Sequence, residues 1–160
     1  MTDPIISAIH PKVLDAASAV VTEARMRKLS AGIHSGLRTA EKQNELYALG
    51  RTVVNPNGKS EDKPMGNVVT NAPAWKSWHN FGLAVDIVFK DEKNNWWWPD
   101  ASNLIWGELG FVGEIFGLEW GGRWKFEDLP HFQMRGRLKT VDEARNMLFT
   151  EGVEKLWSMV

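Results

Sequence analysis

An α+β domain, with helices flanking a small antiparallel sheet, is the fold this sequence predicts. Three observations lead there. Val13, Leu14, Ala17, Val20, Val21 and Ala24 recur at helical spacing and make one apolar face. The stretch GLAVDIVF, residues 82–89, is rich in branched and aromatic side chains and reads as a strand, with KDEKNNW after it as a hairpin turn. The chain has 160 residues, 43% hydrophobic and 24% charged, with no internal repeat or low-complexity stretch, which suits one domain around one core.

Each element has its own signal. Pro11 opens the first helix, where a missing N–H costs nothing, and the apolar face runs to about Leu29 with Gly32 as the stop. Ile33 to Leu37 reads as a short strand. Thr39 is the N-cap of a second helix, Ala40 to Leu49, closed by Gly50. Residues 52–76 carry Pro, Gly, Asn and mixed charge, and read as a long loop of the kind that is usually functional. After the strand and its turn, Asp100 or Ser102 caps a third helix, ended by Gly117. Its buried face holds Leu104, Ile105, Leu109, Val112, Ile115 and Phe116. LEWGGRW and HFQMRG read as strands joined by KFEDLP. Thr140 and Glu143 form a capping box for a fourth helix, and Val153 to Trp157 packs back on the core.

Composition excludes several functions. A net charge of −1 gives no electrostatic reason to expect nucleic acid or an anionic membrane as partner. There is no cysteine, so disulfides, thiolate metal sites and a Cys nucleophile are excluded. MTDPIISAIHPKVLDAASAVV has no basic segment followed by an apolar one, so no signal peptide is expected and synthesis in the cytosol is. No apolar run approaches the roughly 18–20 residues that span a bilayer. Nine tryptophans stand against one tyrosine, three of them consecutive at Trp96–Trp98. Edge-strand or core packing is the first use for these three, and a substrate platform the second.

Asp86 is the residue that asks for an explanation. Alternation puts Ala84, Asp86 and Val88 on one face of the strand, with Leu83, Val85, Ile87 and Phe89 on the other. A carboxylate there is costly unless a cation or several hydrogen bonds compensate it. In a straight strand His79 would lie about 23 Å away on the opposite face. A bend at Gly82 would fold His79 back toward Asp86, and His131 in DLPHF would add a second imidazole. Two histidines and a carboxylate are a common ligand set for catalytic zinc, with a fourth position open to water. The alternative is an Asp86 held by backbone hydrogen bonds beside two unrelated histidines, and spacing alone does not choose between them. A zinc hydrolase also needs a general base and a cation for the developing oxyanion. Asp128 suits the first, with its neighbour Glu127 pointing to the opposite face; Arg38, directly after a strand, suits the second, with an ordinary ion pair as its other use. His10 and His34 read as surface or structural residues.

Three segments carry a further signal. SGLRTAEKQNELYALGRT, VTNAPAWKSWHNFGLAVDIVF and LEWGGRWKFEDLPHFQM, in that order, resemble the VanY/VanX-like (M15-type) zinc peptidases. Within that group they resemble the L-alanyl-D-glutamate peptidases that bacteriophages use as endolysins. The pattern Ser-x-His-x-x-Gly-x-Ala-x-Asp followed by Asp-x-x-His falls on Ser77, His79, Gly82, Ala84, Asp86, Asp128 and His131. The resemblance implies a Hedgehog/D,D-peptidase-like fold, with zinc on His79, Asp86 and His131. It implies Asp128 as general base where relatives often carry glutamate, Arg38 on the substrate or oxyanion, and Ser77 near the substrate. The activity it implies is hydrolysis of the peptidoglycan stem peptide between L-Ala and D-Glu, by a phage endolysin in host lysis. D-Ala-D-Ala dipeptidase or D,D-carboxypeptidase activity is the alternative, and a non-catalytic zinc-containing wall-binding module a more distant one.

The same resemblance leads us to expect one catalytic domain over residues 1–160, without a separate wall-binding domain. It also implies a monomer that reaches the periplasmic wall with the help of a holin. Some phage members bind a regulatory calcium. Neither Asp91 with Glu92 nor Glu61 with Asp62 has the spacing of an EF-hand loop, so calcium is not expected here.

Overall fold

The structure is a computed structural model that describes residues 6–52 and 68–160. Helix α1 (Pro11–Met26) starts at Pro11, and His10 caps it by accepting a hydrogen bond at Nδ1 from the Lys12 N–H, 3.1 Å away. It buries Val13, Ala17, Val20 and Ala24. The helix stops at Met26 rather than near Gly32, because Lys28 turns the chain with a φ of 64°. Gly32 is thereby freed for strand β1 (Ala31–Ser35), which begins earlier than the sequence predicts and ends before Leu37.

Strand β2 (Ala84–Lys90) is the centre of the sheet. Its Val85, Ile87 and Phe89 are buried in the core together with Leu83 just before it. β1 lies antiparallel on one side of β2, and β5 (His131–Gln133) on the other, followed by β4 (Glu119–Trp120), in the order β1-β2-β5-β4. β3 (Trp96–Trp97) pairs with β2 at Phe89 and Lys90, beyond the residues that β5 reaches, which makes the expected hairpin. LEWGGRW and HFQMRG therefore supply only short strands, with Gly121–Arg123 winding into a 3-10 turn after β4.

Helix α3 (Ile105–Ile115) packs against α1 and β4, and differs most from expectation. Its cap is Asn103, whose Oδ1 accepts from the Ile105 N–H at 3.1 Å, not Asp100 or Ser102. Trp106, Leu109, Gly110, Val112 and Gly113 turn inward, while Leu104, Ile115 and Phe116 stay exposed. The helix is apolar on nearly every side, so its period does not say which stripe is buried. Trp120 and Phe132 settle it: a Cβ on Gly110 or Gly113 would meet those rings at 2.2 and 2.3 Å, so only the glycine face admits them.

The remaining helices follow their caps. In α2 (Ala40–Ala48) the Lys42 N–H donates to Thr39 Oγ1 at 3.1 Å. In α4 (Val141–Glu151) the Glu143 N–H donates to Thr140 Oγ1, but Glu143 Oε2 returns a bond to the Lys139 N–H, one residue upstream of a standard capping box. α5 (Val153–Trp157) brings Trp157 under the 3-10 turn Trp78–Phe81 that precedes β2, where its Nε1–H donates to Phe81 O at 2.9 Å. The expected loop over residues 52–76 lies largely outside the described residues, as do Glu61 and Asp62, and residues 68–76 contain no helix or strand. Asp91 organises the β2–β3 turn by accepting from the Lys93 and Asn95 N–H groups. Among the described residues no helix is long and apolar enough to cross a membrane.

His10 is buried and stacks edge-on against Trp157 at 5.1 Å between ring centroids. Burial pushes its imidazole below the ordinary 6.5, against the opposing pull of the Trp157 carbonyl. The unfolded chain therefore takes up a proton that the native state resists, so this stabilisation is complete above pH 6.5 and declines as pH falls below it. Between about pH 7.5 and about pH 5.5, the urea midpoint of the wild type is expected to drop further than that of a His10→Asn variant, which keeps the cap but cannot titrate.

Candidate metal centre

The bend at Gly82 makes the site. Gly82 has a φ of 69°, and a Cβ there would stand 2.6 Å from Ala8 O, so a side chain is excluded twice over. The chain reverses and brings His79 over the start of β2. Asp86 and His131 arrive by sheet register, as directly paired residues of β2 and β5. A bulge in β1 between Ile33 and Ser35 sets Ser35 opposite Asp86 as well.

His79, Asp86 and His131 each present one ligand atom within 4.8 Å of the others. His79 Nε2 is 3.2 Å from His131 Nδ1 and 3.3 Å from Asp86 Oδ1, and His131 Nδ1 is 3.8 Å from Asp86 Oδ1. Donors on a tetrahedral ion with bonds of about 2.0–2.1 Å stand about 3.3 Å apart, so this triangle fits a small divalent cation.

The far nitrogens of both rings are already committed. His79 Nδ1–H donates to Gly36 O at 2.7 Å, leaving Nε2 as a free lone pair. Behind His131 a chain of partners imposes the same sense. Glu119 can only accept, from Arg135 Nε at 2.7 Å and from Gln133 Nε2 at 3.2 Å. Gln133 must then turn its Oε1 to His131, which donates from Nε2 at 2.9 Å and leaves Nδ1 facing the site. Two lone pairs 3.2 Å apart beside a carboxylate are an arrangement for a cation. Replacing Gln133 by leucine removes the acceptor, and metal affinity is expected to fall about 10–100-fold, measurable by competition with a chelating indicator. Undiminished affinity would mean that His131 needs no orienting partner.

Arg38 and Ser35 hold the outer oxygen of Asp86. Arg38 Nη2 and Ser35 Oγ both donate to Asp86 Oδ2, and Arg38 Nη2 also reaches Ser35 Oγ at 3.1 Å. Burial pushes the Asp86 carboxyl up, but the hydrogen bond and charge that His79 offers when its ring carries a second proton, with Arg38 and Ser35, outweigh it and hold it well below the usual carboxylate range. Burial likewise pushes His131 down to about 4, and a second proton on the neighbouring His79 ring would add to the effect. Asp128 stands at the rim: its Oδ2 is 4.0 Å from His131 Nδ1 and its side chain is 54% exposed. The surrounding protein, then the negative Asp86, raise its carboxyl above the ordinary value. Glu127 is exposed and forms no part of the cluster. Ser77 Oγ accepts from the His79 N–H at 3.3 Å and so caps the turn that carries this histidine.

Sequence reasoning reached these residues but missed Ser35, Gln133 and Gly36. Ser35 depends on a bulge that no local signal announces. Gln133 could have been found, because an amide two residues from His131 on a short strand shares its face. Glu119, at the start of β4, orients Gln133.

Residues 70–134 match the profile of a peptidase M15 family described as D-alanyl-D-alanine carboxypeptidase. Over 138 residues the chain is 33% identical to the peptidoglycan L-alanyl-D-glutamate endopeptidase CwlK of Bacillus subtilis (strain 168), spanning 82% of this chain and 76% of that protein. The chain belongs to the M15 peptidases. Solved structures agree on the fold of this M15 peptidase. The L-Ala D-Glu endopeptidase ChiX of Serratia marcescens superposes with a TM-score of 0.52, at 22% identity, over 79% of this chain and 80% of that one. A vancomycin-resistance D,D-pentapeptidase VanY in complex with Zn(II) gives 0.56, at 21% identity, over 92% and 83%. The expected D,D-peptidase-like fold, a small antiparallel sheet flanked by helices, is the one observed.

Proposed function

We propose that this M15 peptidase is a zinc-dependent endopeptidase that cuts the peptidoglycan stem peptide between L-Ala and D-Glu. The observation that carries the reading is the triangle of His79, Asp86 and His131, bordered by Asp128, in a chain 33% identical to CwlK. Zinc is favoured by the two imidazoles, the single carboxylate and the tetrahedral spacing, and VanY, which shares the fold, is known with Zn(II). Held there, zinc supplies Lewis acidity for the scissile carbonyl and the attacking water.

The protein groups do the rest. Asp128 takes the proton of the attacking water and passes it to the leaving amine, a task suited to a carboxyl whose affinity for protons is raised. Arg38 fixes Asp86 and places a guanidinium where negative charge develops on the substrate oxygen. Ser77 borders the substrate while it caps the His79 turn. The setting we infer, from resemblance to phage lysins, is host lysis by a monomer that reaches the periplasmic wall through a holin.

Purified peptidoglycan incubated with the protein, with and without a zinc chelator and read by mass spectrometry, tests this. Chelator-sensitive release of peptides beginning at D-Glu is expected. Release of D-Ala would move the enzyme to the D,D-carboxypeptidase branch, the activity in the description of the matching family. Zinc uptake and wall binding without cleavage would favour the binding module.

A further inference from the structure

The three consecutive tryptophans are not absorbed by the core. Trp96, Trp97 and Trp98 are 39%, 44% and 51% exposed. Their placement follows from register. Paired residues of antiparallel strands share a face, and so do residues two apart. Asp86, Val88 and Lys90 of β2 therefore share one face with Ser35, Gly32 and Trp96. The side chains agree: Trp96 lies over Gly32, and Lys90 Nζ stands 4.6 Å from the Trp96 ring centroid. His34, also exposed, meets both Trp96 and Trp98 edge-on with centroids 5.0 Å apart. An aromatic platform, with the Lys90 ammonium over one face of Trp96, thus continues the sheet face that carries the proposed metal ligand Asp86. Trp97 is turned the other way, toward Phe89.

We propose that Trp96, Trp98, His34 and Lys90 form a subsite for the amino-sugar backbone of the wall, holding the glycan to which the cleaved stem peptide is attached. The inference rests on the proposed cut after the first stem residue. That residue hangs from the sugar through a lactyl group, so residue and lactyl together span about 7 Å extended from scissile carbonyl to sugar. Along β2, Val88 lies about 7 Å and Lys90 about 13 Å beyond Asp86. A sugar tethered so close to the cut lands between Val88 and Lys90, beside Trp96, when the amino-terminal side of the peptide points toward Lys90. The chemistry matches. The C–H face of a pyranose is apolar and packs flat on an indole, while its hydroxyl and acetamido rim stays wet and meets Lys90 and His34. An enzyme releasing D-Ala from the far end of the stem peptide would have no sugar within this reach.

The test uses the zinc-loaded protein and a peptide-free tetrasaccharide of alternating N-acetylglucosamine and N-acetylmuramic acid. Indole N–H signals followed by two-dimensional NMR are expected to shift saturably for Trp96 and Trp98. The buried indole of Trp106, which donates to Pro99 O, should stay still. In kinetics, Trp96→Ala with Trp98→Ala is expected to raise KM for a disaccharide-linked stem peptide about tenfold or more, with kcat unchanged, and to leave cleavage of the sugar-free peptide as it was. No indole shift with the tetrasaccharide overturns the subsite, and so do equal losses on both substrates, which would show a merely structural role. Trp96→Phe with Trp98→Phe, keeping flat rings, should restore most of the glycan effect. Failure of the bond assignment is separately visible, because the tetrasaccharide titration involves no cleavage while the mass of the wild-type products reports the bond.

Discussion

Alanine at position 128 is expected to lower turnover of a muropeptide by about 10²–10⁴-fold while the chain still binds one zinc ion. The geometry separates the two effects. Asp128 is not among the three residues whose ligand atoms converge, and its nearest oxygen is 4.0 Å from His131 Nδ1. Its side chain is half exposed and makes no hydrogen bond among the described residues, so thermal stability should scarcely move. A glutamate in its place extends the carboxylate by one methylene and should retain part of the rate. Measuring kcat together with zinc stoichiometry decides the role. Loss of the ion would make Asp128 a ligand, and wild-type turnover would remove it from the chemistry.

The Asp86→Ala variant should fail in a different way. It takes away one of three proposed ligands and also strands the Arg38 guanidinium, which is only 18% exposed and has Asp86 as its carboxylate partner. Breaking a buried pair from one side costs about 3–5 kcal/mol, so a large drop in the urea midpoint is expected alongside loss of zinc and activity. Asp86→Asn separates the contributions. It keeps an oxygen for Arg38 and Ser35 and should recover part of the stability, yet it removes the charge that the cation needs. A variant at position 86 that stays as stable as the wild type and retains zinc would overturn the account of this residue.

Much of this was legible in the residues. Pro11, Thr39 and the Thr140–Glu143 pair announce three helices because caps act within four residues. The anomaly of Asp86 in an apolar strand, read with the permissive Gly82, raised the fold-back of His79 as one of two readings, and the family resemblance favoured it. What stayed hidden depends on partners distant in sequence. The bulge at Ser35 exists because β1 must match β2, 51 positions away. The buried stripe of α3 is chosen by Trp120 and Phe132, and no reading of the helix alone contains them. The identity of the orienting groups behind each imidazole is likewise a property of the assembled sheet.

The fastening of the His79 bend has a practical side. Gly82 O accepts from the His10 N–H at 2.8 Å and Phe81 O accepts from the Trp157 indole, while Lys12 Nζ reaches Val160 O at 2.7 Å. Segments near both ends of the sequence thus clamp, at Phe81 and Gly82, the turn that carries His79. A purification tag or a fusion partner joined rigidly beyond Val160 is expected to pull on the seat of His79 through Trp157. On the proposed metal assignment, α5 becomes a handle on metal retention, and a flexible spacer after it is the safer attachment.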